Sequence, residues 1–182
     1  STRLCQPKQL LPYGGRTLLD QSLNTARDAV FSQRMVTLGG AGGEVRETVD
    51  LDGFEVVDSV HYTDGCSSSI VAALAAVEQR SEGIVLLLGD QPGVAPATIA
   101  SLVEAAADAP IAVCSYDDGI GHPFWFGRDV FVDLANLHGD KGVWKLIESG
   151  LHDVLQVPVP GPVPLDVDTW DDYQQLLAQE GS

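Results

Sequence analysis

Asp90 stands just after the apolar run Ile84–Leu88 and its Gly89 stop, at the carboxyl end of a segment that reads as a central strand buried on both faces. Ligands of open α/β sheets bind beyond the carboxyl ends of such strands, and a carboxylate there suits a hard divalent cation such as Mg2+. An aspartate ahead of Gln91-Pro92-Gly93 also fits a turn cap, so position alone leaves both roles open. A second acidic segment, Asp166-Val167-Asp168, precedes Thr169-Trp170-Asp171-Asp172, where a side-chain oxygen would cap a closing helix. Only one of Asp166 and Asp168 is expected to enter any one site, and capping need not explain both. Arg3 and Lys8 lie in a stretch without an acid and suit the neutralisation of phosphate oxygens.

Gly65 and Ser67-Ser68-Ser69 precede Ile70, Leu74 and Val77 at helical spacing, so hydroxyls and N–H groups gather where a helix starts. A plain cap needs one serine, and three in a row leave room for a polar ligand. His122, in Gly121-His122-Pro123, is either a substrate contact or a structural histidine beside a proline turn. Gly139-Asp140-Lys141-Gly142 is too short for a phosphate-cradling Gly-x-x-x-x-Gly-Lys-Ser/Thr loop, although Lys141 can still reach an anion. The sequence has no His-Glu-x-x-His, nucleophile-elbow or Gly-x-Gly-x-x-Gly motif, which counts against zinc proteases, serine hydrolases and dinucleotide-binding dehydrogenases.

The elements that must hold these residues alternate between helical and strand-like patterns, the signature of an α/β domain with a mostly parallel sheet. Helices are predicted over 17–31, 44–49, from the serine cluster through Val77, and over 96–107, 129–137, 142–149 and 169–178. Strands are predicted over 35–38, 55–60, 84–88, 111–115, 123–126 and 154–159, with a loop at 117–122 and a proline-rich connector at 158–164. No linker composition divides the 182 residues, so one domain over 1–182 is expected.

Ten Lys and Arg against 26 Asp and Glu give a net charge of −16, which disfavours nucleic acid polymers and anionic membranes as partners. The charge is uneven: residues 1–19 carry Arg3, Lys8 and Arg16 and no acid, leaving −19 on the remainder. Three widely spaced cysteines without a Cys-x-x-Cys pair argue against a disulfide framework and for a reducing, cytoplasmic setting. No apolar run is long enough for a membrane helix.

Taken in order, Ser1-x-Arg3-Leu4 with Pro7-Lys8-Gln9-Leu10-Leu11-Pro12, Gly65 with Ser67-Ser68-Ser69, Leu88-Gly89-Asp90-Gln91-Pro92, Gly121-His122-Pro123, Gly139-Asp140-x-Gly142 and Leu165-Asp166-x-Asp168-Thr169 resemble the MobA-like nucleotidyltransferases. Within them, the Leu-Gly-Asp-Gln-Pro form around Asp90 is similar to the molybdenum cofactor cytidylyltransferase branch. The resemblance implies a three-layer α/β/α sandwich, Rossmann-like, of the nucleotide-diphospho-sugar transferase type. It implies CTP as nucleotide and molybdopterin as acceptor, with a molybdenum hydroxylase or its chaperone as a further partner.

On the same footing, Asp90 and Asp168 would hold Mg2+ or Mn2+, and Arg3 and Lys8 would stabilise the triphosphate. Gly65 and Ser67 to Ser69 would contact the nucleoside, and His122, Asp140 and Lys141 would line the acceptor side. The family opens with a strand and a Leu-Ala-Ala-Gly or Leu-Ala-Gly-Gly turn ahead of the Ser-x-Arg segment, so the natural protein is expected to carry both upstream of Ser1. Cys5 replaces the family's usual glycine. Use of GTP, transfer to a sugar phosphate, and a non-catalytic carrier of the cofactor are the competing readings.

Overall fold

The computed structural model describes residues 6–180. Strands β1 (Pro12–Tyr13) and β2 (Arg16–Thr17) form a small hairpin whose two turn residues, Gly14 and Gly15, both have positive φ, the conformation a two-residue turn of matching twist demands. Helix α1 (Leu18–Asp28) starts on a capping box, in which the Thr17 hydroxyl accepts from the Asp20 N–H while the Asp20 carboxylate accepts from Thr17. It ends before the predicted 31, and Val30, counted on its apolar face by spacing, is 99% exposed.

Strand β3 (Met35–Leu38) pairs in parallel with β4 (Glu55–Asp58), connected by α2 (Gly42–Thr48). Leu19 and Leu23 of α1 and Val45 and Val49 at α2 close over Val36 and Leu38. Helix α3 (Cys66–Leu74) then packs against both β3 and β4 and reaches α5 (Phe131–Ala135) and α6 (Gly142–Glu148).

The larger sheet has the order β5-β7-β6-β8, built from β5 (Gly83–Leu86), β6 (Ile111–Tyr116), β7 (Gly119–Gly127) and β8 (Val154–Pro158). Strands β5, β6 and β8 run in one direction and β7 runs against them. Alternation along these strands divides the side chains between two faces. Ile111, Val113, Phe124 and Phe126 meet Ile70, Val130, Leu134, Val143, Leu146 and Ile147 on the side of α3, α5 and α6. Ala112, Cys114, Tyr116 and Val157 meet Leu102 and Ala106 on the opposite side, where α4 (Pro96–Ala105) lies. Helix on sheet on helix is the three-layer α/β/α arrangement expected.

Two expectations change. The apolar run from Ile84 was expected to be a central strand buried on both faces; the strand ends at Leu86, its residues are half-buried, and among the described residues it pairs only with β7. The segment 117–122 is not a loop, because β6 and β7 join through the tight turn Asp117-Asp118 and β7 runs from Gly119. The register shifts between Val113 and Cys114, so His122 and Pro123 lie in a bulge where a proline without an N–H leaves no ladder bond unmade.

Helix α7 (Trp170–Glu180) closes the described residues, with Tyr173 and Leu176 packed on Leu11, Leu18 and Val167. Among the described residues no helix is long and apolar enough to cross a membrane.

Candidate functional site

Lys8 opens a 3-10 turn, Lys8–Leu10, and its ammonium group lies between two carboxylates drawn from distant parts of the chain. It forms ion pairs with Asp90, beyond the end of β5, and with Asp168, just ahead of α7, the latter at 2.6 Å. The Lys8 and Asp90 side chains are 18% and 13% exposed, whereas that of Asp168 is 60% exposed, so the trio forms a wall of a solvent-reaching site. Burial pulls the Lys8 pKa down, but Asp90 and then Asp168 more than offset it and raise it above the ordinary lysine value.

Asp168 is available to Lys8 because the cap of α7 is made by others. Thr169 and Asp172 form a reciprocal box, with the Asp172 N–H donating to the Thr169 hydroxyl at 3.2 Å and the Thr169 N–H donating to Asp172 at 2.7 Å. Asp166 senses the charges of Asp90, Asp168 and Lys8 as well, against the expectation that only one of the two acids would come near any one site. Val167, fully buried, separates it from Asp168, and residues on either side of an inward one emerge together. The Asp166 pKa is raised, first by desolvation and then by the nearby Asp90 and Asp168 charges. The even spacing of the acids around one apolar residue is the sequence signal that could have found it.

A second cluster joins Gly65 to the Gly139–Asp140 turn. Gly65 has φ +104°, and a Cβ there would sit 2.7 Å from the Gly139 carbonyl carbon and 2.8 Å from an Asp140 carboxylate oxygen, so this contact admits only glycine. The Cys66 N–H donates to Asp140 at 3.1 Å, and the Ser67 hydroxyl donates to the Gly139 carbonyl at 2.5 Å. The Ser68 hydroxyl donates to the Gly65 carbonyl at 2.8 Å and meets the Ser59 hydroxyl at 3.2 Å. Ser67, 2% exposed, and Ser68 are thus engaged within the fold, and Ser69 is half-buried on the first turns of α3.

Cys66 links the two clusters. Its thiol pKa is raised, chiefly by desolvation and then by Asp140, while Lys8 opposes and Asp90 adds to the rise. The thiol thus senses charges of both clusters.

His122 is 9% exposed and stacks 4.1 Å from the Phe124 ring, with Trp144 of α6 edge-on at 6.5 Å. Burial pushes its pKa down to about 4, so the imidazole is neutral at physiological pH. Lys141, at the start of α6, is exposed and borders a shallow hollow with Trp144, Lys145 and Glu148. Arg3 and Cys5 lie outside the described residues.

The donor set passes a test for a divalent metal. Asp90 and Asp168 converge on one cation, the Lys8 ammonium, and both offer hard oxygen atoms. Among the described residues no three His, Cys, Asp or Glu side chains gather as a metal site, so Asp90 and Asp168 would be the protein's share of the ligands to a cation.

Comparison with known proteins identifies the family. The model of the MobA-like NTP transferase domain matches residues 1–154. A crystal structure of Rv0371C from Mycobacterium tuberculosis H37Rv in complex with manganese superposes with a TM-score of 0.86 at 53% identity, covering 94% of this chain and 91% of that one. Nicotine blue oxidoreductase of Paenarthrobacter nicotinovorans is 29% identical over 181 residues, which cover 94% of this chain and 88% of that protein. Molybdenum cofactor cytidylyltransferase of Escherichia coli K12 is 25% identical over 176 residues, covering 95% and 88%.

Proposed function

From a chain that belongs to the MobA-like NTP transferase family, and is therefore a nucleotidyltransferase, we propose the transfer of a cytidylyl group from CTP to the terminal phosphate of molybdopterin. A phosphate oxygen of the acceptor attacks the α-phosphorus of CTP. A new P–O bond forms, the bond between the α-phosphorus and its bridging oxygen breaks, and pyrophosphate leaves with the electron pair. The nucleophile is anionic at neutral pH, so the residues need supply no strong base. Their work is positioning and charge neutralisation.

Lys8 is the described cation suited to the triphosphate and to the charge that grows on pyrophosphate. Asp90 and Asp168 would hold Mg2+ or Mn2+, which when bound supplies neutralisation of phosphate oxygens. The cluster of Gly65 and Ser67 to Ser69 would face the nucleoside, with Ser67 and Ser68 shaping that wall rather than donating from it; Asp140, expected on the acceptor side, accepts from the Cys66 N–H and so borders this wall as well. His122, neutral, and Lys141 would lie on the acceptor side. Arg3 joins Lys8 in this reading.

The single observation that carries the proposal is the meeting of Lys8, Asp90 and Asp168 at one point. A carrier protein has no use for it. The manganese in the Rv0371C structure and the cytidylyltransferase relative lend support.

Pyrophosphate release in the presence of molybdopterin and Mn2+ or Mg2+ tests the reading. CTP is expected to support turnover at least about tenfold better than GTP, and Asp90→Ala to lower it by about 100-fold or more. Full activity of Asp90→Ala sinks the metal assignment, and a preference for GTP sinks the cytidylyl assignment.

A further inference from the structure

Gln91, next to Asp90, is 3% exposed, and its amide is used unequally. The N–H donates to the Pro164 carbonyl at 2.5 Å, whereas the buried side-chain oxygen finds no partner among the described residues. A buried amide with an orphaned oxygen is a poor choice for packing alone, since Met or Leu would fill similar space with nothing left unpaired. The one bond it does make is therefore the feature that needs an explanation.

Pro164 belongs to the connector from β8 to α7, which crosses the sheet end and delivers Asp166 and Asp168 to the site. Pro158, Pro160, Pro162 and Pro164 give this connector few N–H groups with which to fasten itself. It is held from outside instead. Asp117 and Asp118, in the β6–β7 turn, accept from Gly161 at 3.0 Å and from Val163 at 2.7 Å. At the far end Gln91 holds Pro164, and the Val167 N–H donates to the Asp90 carbonyl at 3.2 Å. The last two bonds bracket the step from Pro164 to Asp168 and tie it to the residue pair Asp90-Gln91.

We infer that Gln91 is a positioning residue: through Pro164 it sets the connector so that the Asp168 carboxylate faces that of Asp90, and its loss lets the second carboxylate drift. This rests on the proposal that the two acids hold a divalent cation. Hydrogen bonds made directly to metal ligands alter affinity by about 10- to 100-fold when removed, and Gln91, acting through the Pro164 backbone, belongs at the lower end of that range.

The test uses Mn2+ alone, followed by the electron paramagnetic resonance signal of the free ion, on the full chain and on Gln91→Met. The methionine keeps the volume and removes the donor. The Mn2+ dissociation constant is expected to rise at least about tenfold. In the metal-free protein, amide exchange at Val167 is expected to accelerate while that at Val113, deep in the sheet, stays slow. Gln91→Leu serves in the same way where the methionine variant does not fold.

A folded Gln91 variant with unchanged Mn2+ affinity and unchanged Val167 exchange overturns the inference. Asp90→Ala and Asp168→Ala are measured alongside. If both bind Mn2+ like the parent, the metal reading itself has failed, and faster exchange at Val167 in Gln91→Met then still registers the clip.

Discussion

Replacing Lys8 by Met keeps most of the apolar stem and deletes the charge between Asp90 and Asp168. The Asp168 pair involves a side chain 60% exposed, so screening and side-chain entropy leave it at about 0–1 kcal/mol. The Asp90 pair is more sheltered, at 18% and 13% exposure, but not dry. Leaving one partner of a fully buried pair uncompensated costs about 3–5 kcal/mol, and residual water access lowers this to about 1–2 kcal/mol here. The expected loss is about 2 kcal/mol, or about 4–8 °C in Tm for a chain of this size.

The same deletion makes room for a metal, because Mn2+ no longer has to displace an ammonium group from the two carboxylates. A ligand at 100 times its Kd stabilises by about 2.7 kcal/mol, so the Mn2+-induced rise in Tm is expected to be larger in Lys8→Met than in the parent. Differential scanning fluorimetry with EDTA and with a Mn2+ titration reads both effects. The pH dependence carries its own sign. A lysine whose folded pKa is raised contributes stability that is fully present below its unfolded value of 10.5 and is lost only as pH climbs through the folded value. The gap between parent and variant should thus be flat from about pH 6 to 9 and close in strong alkali. Equal Tm values in EDTA, or a smaller Mn2+ gain in the variant, would refute the account.

His122 has a folded pKa of about 4 against an ordinary 6.5, so the unfolded chain binds the extra proton between these values and stability falls as pH drops through that window. The loss is about 3 kcal/mol at most, and urea unfolding of His122→Phe at pH 7 and pH 4.5 should show a shallower decline than the parent. An equal decline would remove His122 as its source. Gly65→Ala forces a side chain into φ +104° and against the Gly139–Asp140 backbone, and should destabilise by about 2 kcal/mol or more in chemical denaturation. A neutral result would mean that the turn yields.

Strand β3 begins and ends where the sequence placed it, because Met35–Leu38 is a short apolar run bounded by Gly39-Gly40. The start of α1, at Leu18, falls one residue from the predicted 17. The reach of β7 was not, since Asp-Asp-Gly reads as loop when the tight turn that joins two long strands depends on their pairing. The half-burial of β5 depends on which neighbours the sheet supplies, a tertiary fact that a run of Ile, Val and Leu does not encode.

At the site, Asp90 was named from its place after an apolar run and Lys8 from its acid-free stretch, and the resemblance paired Asp168 with Asp90. Their convergence across 160 residues has no local signature. The engagement of Ser67 and Ser68 with the fold was hidden for the same reason, because their acceptors belong to Gly139 and to Gly65 and Ser59. Gln91 was passed over because an amide beside a more conspicuous acid shows its role only through what it touches.

The family model spans 1–154, yet one of the two acids that Lys8 bridges is contributed by residue 168. A chain emerging from the ribosome holds Lys8 and Asp90 before Asp168 is made. The second carboxylate is made only after the proline-rich connector at 158–164. Order of synthesis thus matters to the pair, since a growing chain that has not reached residue 168 presents a lysine with one acid.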